Sequence, residues 1–168
     1  MENTSDKKLL EKMRDFLYRA EDALLLGLLL TMILVAVAQI LLRNLSGGGL
    51  AWGDGLVRML VLWIGLCGAM IASRTGNHIR IDLITRWVPE SLKKIVSGTV
   101  EFFTALICSA VAWHSLRFVR MEYSAGGMAF AGIPVWVCES VIPFAFIVIS
   151  VRYYILSAVS FHHCRRIR

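Results

Sequence analysis

Four long apolar runs, at 20–45, 55–73, 95–119 and 134–157, take up most of this 168-residue chain. A hydrocarbon core of about 30 Å takes roughly 20 apolar residues to cross as helix, and each run meets or approaches that length. In lipid every backbone N–H and C=O must find its partner within the segment, so such runs must be helical. The period-two alternation of a membrane β-barrel is absent. The chain is therefore expected to be an all-α membrane protein with four transmembrane helices in one domain, 1–168.

The net charge of +6 raises the question of nucleic acid, and the placement of the charge answers it. The basic residues flank the apolar runs instead of forming a surface of their own, which suits orientation in a membrane and no nucleic-acid partner. About 20 polar, charge-mixed residues precede the first run, which is too long for the core of a secretory signal. Cys67, Cys108 and Cys138 fall inside spans, where a thiol packs as a small hydrophobe, and Cys164 lies in the tail, so no disulfide framework is expected.

Four spans place both termini and the middle connection on one face. That face collects Lys7, Lys8, Lys12, Arg14 and Arg19, then Arg74, Arg80, Arg86, Lys93 and Lys94, then Arg165, Arg166 and Arg168. The other face has Arg43, Arg58, Arg117 and Arg120. Thirteen basic residues against four predict cytoplasmic termini by the positive-inside rule. In the N-terminal arm, 1–19, Leu9, Leu10, Met13, Phe16 and Leu17 recur at helical spacing among lysines and arginines. This predicts an amphipathic interfacial helix. Between spans two and three, Ile79, Ile81, Leu83, Ile84 and Trp87 alternate with His78, Arg80, Asp82 and Arg86 before Pro89. Small residues stand at close-packing spacing, Gly65 with Ala69, Gly68 with Ala72 and Ala105 with Ser109. Pro143 predicts a modest kink in the last span.

Ionisable groups inside a span are costly and mark either function or an internal pair. Counting 1.5 Å per helical residue, Arg58 and Glu139 lie at similar depths from the outer side, and Glu101 and Arg152 at similar depths from the inner side. Matched depth suggests two intramembrane ion pairs, Arg58–Glu139 and Glu101–Arg152. Two other readings stand beside it: arginines that snorkel to the nearer interface, and glutamates that meet a partner subunit.

Reactive constellations are absent from the sequence. It has no phosphate-binding Gly-rich lysine loop, HExxH, CxxC or nucleophile elbow, so no catalytic residue, metal site or cofactor is expected. Bis-histidine haem would make the chain an electron-transfer subunit, but only His114 lies within a span. A stand-alone, self-associating carrier is the other alternative. Four spans without an internal repeat offer little for an alternating-access site.

The stretch from Trp52 through Asp54 to Arg58, continuing Trp63, Ile64, Gly65, Leu66, Cys67, Gly68, resembles the second span of the small permease subunit of TRAP transporters, the tripartite ATP-independent periplasmic transporters. The segment Gly76, Asn77, His78, Ile79, Arg80, Ile81, Asp82, Leu83 is similar to that family's signature after span two. Ile133, Pro134, Trp136, Ile142 and Pro143 resemble the opening of its fourth span. Family members often carry two acidic residues ahead of the span-two arginine. Here Asp54 is followed by Gly55, leaving one carboxylate four residues before Arg58 to pair along the helix.

The resemblance implies a non-catalytic small subunit in the bacterial inner membrane. Its partners would be a large permease subunit, which carries the organic-acid and sodium sites, a periplasmic substrate-binding protein, and membrane lipid. The family-motif residues Trp52, Asp54, Gly65, Gly68, His78 and Asp82 would then serve the subunit interface. The outer residues Arg43, Arg117, Arg120 and Glu122 would help dock the binding protein.

Overall fold

A computed structural model of the chain describes residues 4–45, 48–50, 52–75 and 90–165, with side chains over 11–45, 48–50, 52–74 and 96–160. The described residues are helical apart from short connections: α1 Thr4–Leu45, α2 Gly53–Thr75, α3 Glu90–Ala125, α4 Val135–Glu139 and α5 Val141–Arg165. Four stretches are long and apolar enough to cross a membrane: Glu11–Leu45, Gly53–Arg74, Val96–Ala125 and Val135–Ser160. The four-span expectation is met. The connection at 76–89, with His78 and Asp82, lies outside the described residues.

The N-terminal arm is helical, as its spacing predicts, but it is not a separate element. No Gly or Pro occurs between Thr4 and Leu26, so nothing interrupts the ladder where arm meets span. One helix of 42 residues results. The third span overruns its expected end at 119 by six residues, because Arg120 to Ala125 are tolerable helix residues and Gly126 supplies the stop. Gly126 takes φ +68° and donates its N–H to the Glu122 carbonyl, a left-handed cap that glycine adopts without steric cost.

The last span is broken earlier than expected. Ser140 separates α4 from α5, three residues before Pro143. The position follows from proline chemistry: Pro143 has no N–H to give the Glu139 carbonyl, and its ring crowds that same carbonyl four residues back. The Ser140 hydroxyl donates to the Val137 carbonyl at 2.7 Å at the break.

The chain divides into two compact units, Met1–Ile71 and Ala72–Arg168. In the second, α3 and α5 run antiparallel. The contacts of Gly98 with Ser157, Phe102 with Tyr154 and Ala105 with Ser150 step in opposite directions along the two helices, and Tyr123 with Trp136 of α4 continues the order. Their seam buries Ala105, Cys108, Ala112, Ala145 and Ile149, and its three alanines are small enough to bring two backbones close in a membrane. Between α3 and α4 the chain makes a tight hairpin. Ala129 N–H donates to the Ile133 carbonyl (2.8 Å), Ile133 N–H to Phe130 (2.9 Å) and Val135 N–H to Gly127 (3.0 Å). Its two central residues, Ala131 and Gly132, have φ +48° and +79°, both positive as in a type I′ turn.

Candidate subunit interface and its polar clusters

At the join of α1 and α2 a polar cluster sits where lipid-compatible helices would otherwise have only apolar contact. Gln39 is 7% exposed; its amide nitrogen donates to the Leu50 carbonyl at 3.2 Å and to Asp54 Oδ1 at 2.9 Å. Both partners are acceptors, which fixes the amide's orientation. Arg43 reaches Asp54 Oδ2 at 3.4 Å. Gly53 makes room, since a Cβ there would fall on the Gln39 amide. The Arg43–Asp54 pair is well exposed, so it contributes about 0–1 kcal/mol, and the buried Gln39 bonds are the stronger tie. Arg43 in the last turn of α1 and Asp54 in the first turn of α2 both complement their helix dipoles.

Asp54 therefore serves α1, and the expected pair with Arg58 along α2 is not the contact it makes. Helical side chains lean toward the N-terminus, which carries the carboxylate in the first turn back over Leu50 and away from Arg58. A groove lined by Gln39, Ile40, Arg43 and Asn44 opens beside the cluster. Gln39 was the residue missed by a reading keyed to charge; a lone amide in an apolar run was the available signal.

The second cluster lies along the α3–α5 seam. The Ser109 and Ser150 hydroxyls are 2.7 Å apart and both reach the Ala105 carbonyl, at 2.9 and 3.3 Å. Ser157 donates to the Gly98 carbonyl at 3.1 Å, and Ser160 to Glu101 Oε2 at 2.8 Å. Interhelical bonds of this kind average about 0.6 kcal/mol in membrane proteins, so they set register more than they supply stability. Ser150 and Ser157, seven residues apart, carried that signal in the sequence.

Glu101 is 7% exposed and takes its bond from Ser160, eight residues beyond Arg152 in α5. Arg152 itself donates to the Ser73 hydroxyl at 3.3 Å. The Glu101–Arg152 ion pair is thus not the contact shown for either charge. A serine hydroxyl stands beside each of the two charges. Glu139 holds its Oε2 out of solvent with no hydrogen-bond donor among the described residues. Glu122 approaches the hairpin beside Gly127, and Arg117 and Arg120 stand exposed on α3.

Most of the apolar surface is bare. Within the apolar 18-residue stretch of each span, only 6% of residues are buried in α1, 17% in α2 and 28% in each of the other two. On α2, Arg58, Val61, Gly65, Ala69 and Ala72 are all exposed and fall on one helical stripe. A Cβ on Gly65 or Gly68 would meet nothing within 4 Å. Among the described residues of its own unit, the close-packing expected of these two glycines is not made. Trp52, 42% exposed, opens α2, its carbonyl accepting from Leu56 N–H at 3.1 Å.

Comparison with known proteins places the chain in a family. The family model described as the DctQ component of tripartite ATP-independent periplasmic transporters matches residues 32–161. The chain is 26% identical over 141 residues to the ectoine TRAP transporter small permease protein TeaB of Halomonas elongata, covering 83% of this chain and 73% of that one. It is 31% identical over 67 residues to the sialic acid TRAP transporter permease protein SiaT of Haemophilus influenzae, covering 40% of this chain and 11% of that protein. It is 24% identical over 102 residues to the isethionate TRAP transporter permease protein DctMQ of Oleidesulfovibrio alaskensis, covering 60% and 16% respectively.

Proposed function

Because the chain belongs to the DctQ component family of tripartite ATP-independent periplasmic transporters, we propose that it is the non-catalytic small membrane subunit of a sodium-coupled, binding-protein-dependent transporter for organic acids. Its work is to scaffold a larger permease subunit in the bacterial inner membrane, with both termini cytoplasmic. The observation that carries this reading is the bare stripe of small residues on α2, Gly65, Ala69 and Ala72 below Arg58. A stripe of that kind lets a helix of another chain approach closely. A charge at its end meets a counter-charge more cheaply from a partner than from lipid.

The relatives support the same reading. In SiaT and DctMQ the matching stretch is 11% and 16% of a longer permease protein, as suits a domain working against a larger one. Their names carry ectoine, sialic acid and isethionate. Substrates that vary across relatives of this component favour selectivity residing in the other components. Arg58 and Glu139 are proposed to meet counter-charges, within the chain or from the partner. Glu122 with the hairpin after Gly126 is proposed to face the periplasmic binding protein.

The test is a mild-detergent pull-down of the tagged chain from its native membranes, with mass spectrometry of what accompanies it. A stoichiometric many-span permease is the expected companion, and Gly65→Leu should lose it. A chain that returns alone, or that moves substrate unaided in proteoliposomes, would overturn the proposal.

A further inference from the structure

We propose that the outer half of α3 binds a phospholipid, its phosphodiester held by Arg117 and Arg120 and its glycerol and acyl chains running down over Trp113, Leu106 and Phe102. At 100° per residue these five side chains fall within about 60° of one another around the helix. Phe102 and Leu106 are each 47% exposed and Trp113 is 63% exposed. Both arginines are exposed as well. Among the described residues neither guanidinium has a hydrogen bond or an ion pair. The nearest acidic residue on the helix, Glu122, projects about half a turn away from the Arg–Trp stripe and approaches Gly127 instead.

Depth agrees with this order. From Lys94 near the start of α3, Arg117 and Arg120 are about 35 and 39 Å along the helix. A bilayer is about 40–45 Å thick with its headgroups, around a core of about 30 Å. With Lys94 at one polar boundary, the two arginines reach the other. Trp113, one turn below, falls in the zone where tryptophan gathers at the membrane–water interface.

The stripe therefore repeats the polarity of a lipid along its length, apolar, then amphipathic, then cationic. Two guanidinium forks without counter-charge match a phosphodiester in charge and in hydrogen-bond geometry.

Native mass spectrometry of the full-length chain tests the proposal, after delipidation and re-addition of phosphatidylglycerol or of diacylglycerol, which lacks the phosphate. Wild type is expected to retain one phosphatidylglycerol and no diacylglycerol. The double variant R117Q/R120Q should bind it about tenfold more weakly, the loss expected for a charge-assisted hydrogen-bonded contact. R117K/R120K keeps the charge without the forks and should fall between them. R14Q, which removes an exposed arginine on α1, should match wild type. Equal retention by wild type and R117Q/R120Q, or equal retention of diacylglycerol, overturns the proposal. So does a double variant that keeps its lipid but no longer captures the periplasmic binding protein, which would assign the arginines to a protein partner.

Discussion

In the second unit α3 and α5 bury Ala105 and Ala145 completely and stitch their backbones with serines. In the first, α1 leaves most of its apolar span uncovered, and a polar cluster at Gln39 ties it to α2. The contrast separates two uses of small and polar residues in lipid. Where a small residue meets its neighbour inside the chain, it sets a helix pair. Where it faces open space, as Gly65 does, it leaves room for a helix from elsewhere, the use proposed for it above.

The sharpest way to break this contrast is to overfill the seam. Ala105→Leu inserts three carbons where Ala105 is 0% exposed, and is expected to destabilise the chain by about 2–3 kcal/mol. Thermal unfolding in detergent would read it, and an unshifted midpoint would mean α3 and α5 do not pack as described. Next comes Gly53→Ala, whose Cβ displaces Gln39. A loss of about 1–2 kcal/mol is expected from the disrupted bonds to Asp54 and Leu50, with Gln39→Leu giving a similar loss. If Gly53→Ala were neutral while Gln39→Leu was costly, the close approach would be wrong and the hydrogen bonds right.

A smaller effect of opposite sign belongs to the hairpin. Ala131 sits at φ +48°, a conformation that costs a residue with a Cβ about 1–2 kcal/mol. Part of that gain is lost to glycine's greater unfolded-state freedom. Ala131→Gly should therefore raise stability by about 0.5 kcal/mol, visible as a small rise in unfolding midpoint. Gly65→Leu should change the isolated chain least of all, within about 0.5 kcal/mol as for surface positions in general. Its effect should appear in capture of the large permease alone. Instability of the isolated Gly65→Leu chain would move that glycine from the open class into the packed one.

The helices were legible in the sequence because lipid leaves the backbone no alternative, and apolar length alone marks them. Their ends were less so: the overrun past residue 119 depended on where Gly126 could stop the helix, and the break at Ser140 on what Pro143 withholds from a carbonyl four residues earlier. Asp54 was legible as important but not in its partner, since spacing along one helix favoured Arg58 while side-chain direction favoured α1. Glu101 was matched to Arg152 by depth, a measure blind to angle around the helix and to neutral donors such as Ser160. The small-residue pairs showed the limit most plainly. Spacing identifies a face fit for close approach but not whose helix fills it, so Ala105 and Gly65 read alike and ended in different surroundings, one buried and one open.

The absence of any break in α1 has a mechanical consequence. An unbroken helix of 42 residues is about 63 Å long, roughly twice the hydrocarbon thickness it must cross. Its two ends are coupled as the ends of a lever. Each ten degrees of tilt swings one end by about 11 Å relative to the other. Whatever grips the bare apolar half thereby sets the height and direction of the charged arm beyond it, and a change in bilayer thickness or in the partner's posture is converted into displacement of that arm.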